Sequence, residues 1–283
     1  MKKLLMLLPL VFFSCSKAQD HLTEAGKLSL KEVSGIEYIP GSNSLWAIED
    51  SGNKNKLYKL GPDGSIMQTI VVNGATNTDW EELAADDEGN LYIGDFGNND
   101  NDRKDLAIYK LIKDKTSVEY KVSFNYPEQT EFPPKKSRKI FDCEAFIVHN
   151  GSFYLFTKNR SSGFDGTLNI YKLPNKEGNY KAQLAGSLTT CSTYRRCAVT
   201  AADISADGTK VVLLSGDKIW TITEFGNDNF DGGKMKMFEL GHFSQKEGIC
   251  FKDDDALLIT DEREKKEGGS LYEVKLSDLN SEL

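Results

Sequence analysis

The chain is expected to be an all-β propeller, and three observations carry that expectation. A short pattern that opens an inner strand returns five times, at Ser34-Gly35-Ile36-Glu37-Tyr38, Glu81-Glu82-Leu83-Ala84-Ala85, Glu144-Ala145-Phe146-Ile147-Val148, Ala202-Asp203-Ile204-Ser205-Ala206 and Glu247-Gly248-Ile249-Cys250-Phe251. Each is followed by a turn and an apolar second strand, such as Leu45-Trp46-Ala47-Ile48 or Leu91-Tyr92-Ile93-Gly94. A third strand then recurs, from Leu57-Tyr58-Lys59-Leu60 and Ile108-Tyr109-Lys110-Leu111 to Leu271-Tyr272-Glu273-Val274. Repeats of ~40–60 residues made only of strands are the signature of propeller blades. No segment keeps a 3.6-residue apolar period over three turns, which argues against helices.

Taken in order, the chain begins with a segment outside the fold. Lys2-Lys3 and the apolar run Leu4 to Phe13 read as a secretory signal, too short to span a bilayer. Ser14-Cys15 resembles the end of a bacterial lipobox, which would make residues 1–14 the signal peptide and Cys15 the lipidated N-terminus. The alternative is ordinary cleavage after Ala18 and a secreted or periplasmic soluble protein. Residues 15–26 read as a polar tether and 27–283 as one propeller domain, placed at the outer membrane or its periplasmic face. Loss of residues 1–14 removes Lys2 and Lys3, leaving 33 basic against 43 acidic residues and a net charge of −10. Such a balance disfavours nucleic acid as a partner.

The turn signals between strands are Gly41-Ser42-Asn43, Pro62-Asp63-Gly64, Asp87-Glu88-Gly89-Asn90, Asn150-Gly151, Asp207-Gly208 and Asp253-Asp254-Asp255. Fourth strands fit at Ile66–Val72, Val118–Tyr126, Tyr180–Leu188 and Met235–Leu240. The last repeat lacks one, and Lys27–Val33 is expected to supply it, so that an N-terminal strand closes the ring and hides its edges. The count gives five four-stranded blades, with room for a degenerate sixth near 113–142 or 175–200. Cys191 and Cys197 are close enough in sequence for a disulfide in an exported chain, whereas Cys143 and Cys250 read as small buried residues.

Loops leading into inner strands and loops leaving second strands share one face of a propeller, and this chain concentrates charge in both. Glu81, Glu144 and Glu247 hold one equivalent slot in three blades, with Ser34 and Ala202 in the other two. Glu49, Asp95 and Asp261 are equivalent at the end of the second strand, where Thr157 and Ser215 fill the remaining blades. These six acids, Glu49, Glu81, Asp95, Glu144, Glu247 and Asp261, form the expected cation site, its hard oxygens suited to Ca²⁺ or Mg²⁺. The competing reading is that each acid caps its loop or bonds to a neighbouring blade. Lys158, Arg160, Arg195 and Arg263, with Asp79 and Asp142, are expected to bind a small anionic or polar ligand on the same face. Asn98-Asn99-Asp100-Asn101-Asp102 lacks the glycine and final acid of an EF-hand loop. Three scattered histidines do not make a zinc site; of these only His242 precedes an acidic strand closely.

The run Glu49-Asp50-Ser51-Gly52, Asn77-Thr78-Asp79-Trp80-Glu81-Glu82-Leu83-Ala84 and Leu91-Tyr92-Ile93-Gly94-Asp95-Phe96-Gly97-Asn98-Asn99, with Asp142-Cys143-Glu144-Ala145 later, resembles exported bacterial propellers of the TolB-like and SdiA-regulated type. The resemblance covers about residues 30–275 and implies the same fold, without a settled activity. A more distant likeness is to calcium-dependent propeller hydrolases such as gluconolactonases, paraoxonase-like lactonases and propeller phytases. Only Glu81, Glu144 and Glu247 match their calcium positions; the inner-strand asparagines of the lactonases are not evident. Two functions follow as expectations: a monomeric, lipid-anchored envelope protein binding a ligand or an envelope protein on its charged face, or a Ca²⁺-dependent hydrolase using the same face.

Overall fold

The computed structural model describes residues 21–39, 42–265, 267–279 and 281–282. The expected signal peptide and the Cys15 lipidation site lie outside these residues. Five blades of four antiparallel strands each follow one another along the chain, and the sheets of the second and fourth each gain a short extra edge strand, Gly178–Lys181 and Ser281–Glu282. Blade 1 is Val33–Ile39, Ser44–Glu49, Lys56–Leu60 and Ile66–Val71; blade 2 is Trp80–Ala85, Leu91–Asp95, Ala107–Leu111 and Val118–Asn125. Blade 3 is Asp142–His149, Ser152–Lys158, Thr167–Pro174 and Gln183–Thr189; blade 4 is Ala201–Ile204, Val211–Leu214, Lys218–Thr223 and Lys234–Glu239. Blade 5 is Lys246–Phe251, Ala256–Asp261 and Ser270–Lys275, with Thr23–Lys27 as its outermost strand. The inner strands neighbour one another in a closed ring, blade 5 returning to blade 1.

Each blade is buried on both faces, so its second strand reads as a continuous apolar run instead of an alternation: Val211–Leu214 is buried at every position. The core is consequently divided into five clusters, one at each seam. Trp46, Ile48 and Leu57 of blade 1 pack with Trp80, Leu83 and Ile93 of blade 2. Tyr154 and Phe156 of blade 3 pack with Leu213 and Trp220 of blade 4. At the seam of blades 5 and 1, Leu258 and Leu271 meet Val33, Ile36 and Tyr58.

Three boundaries differ from the sequence reading. The outermost strand of blade 5 is Thr23–Lys27, not 27–33, so the fold takes in part of the expected tether. Leu28 and Leu30 are instead buried in the seam cluster, and Val33 already begins blade 1. Residues Gly178–Lys181 leave blade 3 and pair parallel with Val118–Asn125 of blade 2, so the fourth strand of blade 3 starts only at Gln183. The stretches weighed for a sixth blade hold outer strands, a 3₁₀ turn at Lys136–Arg138 and the short helix Tyr194–Cys197. That helix ends in the disulfide Cys191–Cys197, while Cys143 and Cys250 are buried thiols.

The fit of Thr23–Lys27 against blade 1 depends on Gly26, because a Cβ there would collide with the carbonyl oxygen of Asp63. Gly26→Val should therefore cost about 1–3 kcal/mol, the usual penalty of overpacking a tight contact. Gly163→Val, at a glycine whose added Cβ meets nothing, should be close to neutral. Urea unfolding of the two variants checks the difference.

Candidate functional site

The acidic slot is created by a repeated irregularity. In blades 2, 3 and 5 the ladder between inner and second strands skips one residue: Trp80 pairs with Asp95 and Glu82 with Gly94, Cys143 with Thr157 and Ala145 with Phe156, Lys246 with Asp261 and Gly248 with Thr260. The residue left out is Glu81, Glu144 and Glu247 in turn. A β-bulge re-aims the side chain it carries, and here it sends all three carboxylates into one axial cavity. Blade 1 has its bulge at Ser34-Gly35. Blade 4 has none: Ala201 pairs with Leu214, and Ala202 with Leu213. This corrects the equivalence of Ala202, since Thr200 is the residue that reaches the cavity in blade 4.

The cavity has a volume of about 600 Å³. Glu144 is 4% exposed and is ion-paired with both Lys158 and Arg160, and Arg160 also holds the buried Asp142. Tyr194 from the disulfide-anchored helix accepts a hydrogen bond from Arg160 Nη1 at 3.0 Å. Burial opposes the charge on Lys158, yet Glu144 and Glu247 overcome it and hold the ammonium above its ordinary pKa. The acids are pushed toward their neutral forms, Glu144 included, where burial outweighs the pull of Lys158 and Arg160. Burial, then repulsion from Glu144, raises Glu81 well above the carboxylate range. Burial raises Glu247 to about 8, with Glu144 and Glu262 adding to it against Lys158. Glu262 is likewise raised to about 8, by burial and then Asp50, and Asp50 to about 7, by burial and then Glu32. Gly97 makes room for this crowding: a Cβ there would strike Glu81 Oε1 and Asp79 Oδ2.

Of the expected residues, the structure brings Glu81, Glu144, Glu247, Asp261, Asp79, Lys158, Arg160 and Arg195 to the cavity wall. The others work within or between blades. Asp95 accepts from the Asp79 amide and is ion-paired with Arg103 at 3.0 Å. Glu49 accepts from the hydroxyl of Tyr58, a contact to the third strand that the wall residue Asp261 repeats with Tyr272. Asp142 sits behind the wall, accepting from the Asn98 amide at 2.7 Å. Arg263 lies outside the cavity and donates to the carbonyl of Leu28. The acidic-looking Asn98–Asp102 loop is a blade linker: Asn98 donates to Phe141 O, and Asn101 accepts from Phe141 N. The sequence reading left out Tyr194 as a wall residue, while Asp50 and Glu262, which follow Glu49 and Asp261 in the acidic ring it expected, do line the wall. Tyr194 was hidden because a disulfide, not a strand, delivers it.

Below this mouth the channel narrows. Glu82 is wholly buried and reaches from blade 2 to the amide of Ala202 in blade 4, at 3.2 Å. Burial raises its pKa well above the usual range. Among the described residues, no group of three or more His, Cys, Asp and Glu side chains has an arrangement that would hold a metal ion.

Residues 20–155 match the SdiA-regulated protein family, a stretch that takes in blades 1 and 2 and the start of blade 3. The chain is a five-bladed β-propeller, and that stretch is similar to the SdiA-regulated family. No curated protein matches it. Among solved structures it is similar to a gluconolactonase from Xanthomonas campestris, with a TM-score of 0.52 and 11% identity over 92% of this chain and 89% of that one. It is also similar to the PQQ-bound aldose sugar dehydrogenase from Streptomyces coelicolor, with a TM-score of 0.50 and 12% identity over 91% of this chain and 98% of that one. At such identities the likeness establishes the propeller fold alone.

The raised carboxyls make stability depend on pH in a defined direction. A carboxyl at about 8 in the folded state and about 4.3 unfolded favours folding below the lower value. That contribution is lost as pH rises through the upper one, because the folded state binds the extra proton. In the presence of chelator, Tm should therefore fall between pH 6 and pH 9. Glu247→Gln should melt above the parent protein at pH 9 and converge with it below about pH 4.

Proposed function

We propose that the acidic mouth binds a small polar ligand rich in hydroxyl or cationic groups, together with a divalent cation. The observation that carries this reading is the convergence of Glu81, Glu144 and Glu247, each lifted from its ladder by a bulge, into one cavity. Of the cations first expected to attract an anion, the two buried ones, Lys158 and Arg160, are engaged by Glu144 and Asp142, and Arg195 lies over the Phe243 ring. The uncompensated groups are acids, Glu81, Glu247, Glu262 and Asp50, which favours ligands that donate hydrogen bonds or positive charge. Glu81 and Glu247 are the residues that would hold the cation. Ligand and water oxygens would complete its shell, an arrangement suited to Ca²⁺ or Mg²⁺ and distinct from an all-protein cage. The protein is proposed to do this as an exported monomer, anchored to the outer membrane through lipid on Cys15, with an envelope protein as the alternative partner.

A second reading, metal-assisted hydrolysis, is favoured by one feature. Glu247 is pushed up to about 8, while Glu144 in the same cavity contacts two cations. Burial raises both acids, but only Glu144 has two ion-pair partners to favour its charged form, an asymmetry of the kind that general acid–base catalysis uses.

Thermal unfolding tests the cation directly. Chelator should lower Tm, and added Ca²⁺ or Mg²⁺ should restore it, by about 2.7 kcal/mol when the ion is at a hundred times its Kd. Glu81→Gln and Glu247→Gln should each remove the response. Indifference of Tm to chelator and to both ions would withdraw the cation and, with it, the hydrolase reading. For the anchor, Cys15→Ala should release the protein from the membrane fraction and abolish lipid labelling; an unchanged fractionation with a mature N-terminus at Gln19 would mean simple secretion.

A further inference from the structure

The opposite end of the channel holds a second cavity, of about 370 Å³, lined from all five blades. Two carboxyls lie in it, Glu37 from blade 1 and Asp203 from blade 4, only 5% and 8% exposed. They occupy the same rung: Glu37 pairs with Trp46 and Asp203 with Val212, three residues past Ser34 and Thr200, which hold equivalent places at the upper mouth. The remaining blades offer Ala84, Ile147 and Cys250 at that rung, so no side chain there supplies a counter-charge. The cavity wall is otherwise largely apolar and partly aromatic: Tyr38, Ile39, Val148, Ile204 and Phe251.

The hydrogen bonds of the two acids come from backbone amides. Glu37 Oε2 accepts from Ala85 N at 3.1 Å, and Asp203 accepts from Ile204 N and Phe251 N, each at 2.7 Å. Neither makes an ion pair among the described residues. The basic groups at the cavity are committed elsewhere, Lys252 to Glu273 at 2.7 Å and His149 to Asp228 at 3.3 Å. The other charged neighbours are acids: Glu82 above, and Asp86, Asp87, Asp253 and Asp254 at the rim. Burial accordingly raises Asp203 to about 7 and Glu37 well above its ordinary range. Two buried carboxyls in an acidic, apolar-walled cavity lack one thing, a positive charge with a greasy surface.

We propose that this lower cavity is a binding site for a small organic cation, a protonated amine or quaternary ammonium with apolar substituents. Glu37 and Asp203 provide the charge partners, and the rings of Tyr38 and Phe251 a surface that attracts cations by their quadrupole. The apolar wall and the presence of only two buried carboxyls, with the other acids out at the rim, disfavour a metal ion, which needs six or more oxygens or their equivalent in water. This site is independent of the reading given to the upper mouth.

The test compares isosteric pairs on the purified full-length protein by calorimetric titration. Choline is set against 3,3-dimethylbutan-1-ol, and benzylamine against benzyl alcohol. At least one cation should bind saturably and at least about tenfold more tightly than its neutral counterpart, as expected for an ion pair reinforced by cation–π contact. Asp203→Asn and Glu37→Gln should each weaken it by a similar factor. Glu37→Gln keeps its one acceptor and relieves repulsion, so it should keep or gain Tm, whereas Asp203→Asn turns one of two amide acceptors into a donor and should lose some Tm, so its fold is checked by near-UV circular dichroism before binding is compared. The proposal is overturned if neither cation outbinds its neutral isostere, or if folded Asp203→Asn and Glu37→Gln bind as the parent protein does.

Discussion

The inner strands stand so close around the axis that one rung admits almost no side chains. At that level blades 1, 3, 4 and 5 carry Gly35, Ala145, Ala201 and Gly248. A Cβ on Gly35 would lie 2.6 Å from the Cα of Glu82, and one on Gly248 would press on Thr260 and Ile36. Blade 2 alone places a long side chain there, and Glu82 uses the space to reach the backbone of blade 4. Everything else follows from this narrow waist. It fixes the approach of the blades, lets the seams close over large aromatic residues such as Trp80 and Trp220, and separates the channel into two cavities.

The two ends differ in how they treat buried negative charge. At the upper mouth Lys158 and Arg160 neutralise Glu144 and Asp142 and are themselves stabilised as cations. The surplus is left on Glu81, Glu247 and Glu262. At the lower mouth the carboxyls have amide donors but no cation. Removing a carboxylate from water without a partner raises its pKa or recruits a positive ligand. A structural role alone does not require acids at these rungs, because Ala84 and Ile147 fill the lower one in blades 2 and 3 without disturbing the seam.

Much of this was legible in the sequence. The five repeats, their strand order and the equivalence of Glu81, Glu144 and Glu247 follow from period and residue type, as do the buried thiols and the Cys191–Cys197 pairing. Mistakes arose where pairing partners, not patterns, decide. A short apolar stretch says that a strand exists but not which edge it joins, so Gly178–Lys181 went to blade 2 and Thr23–Lys27 took the place given to 27–33. In blade 4 the absence of a bulge shifted the register, and Thr200 replaced Ala202 at the mouth.

Sequence by itself determined the architecture and the acidic character of the axis, because alternation, turn residues and repeat spacing are local properties of the chain. Tertiary structure decided which acids meet. Glu49 and Asp95 are acids like Glu81, yet hydrogen bonds to Tyr58 and the Asp79 amide tie them to their own blades. Glu37 and Asp203, 166 positions apart in the chain, share a cavity only because ring closure brings rungs of different blades together. No local pattern encodes that distance, since it is set by the packing of five sheets around one axis.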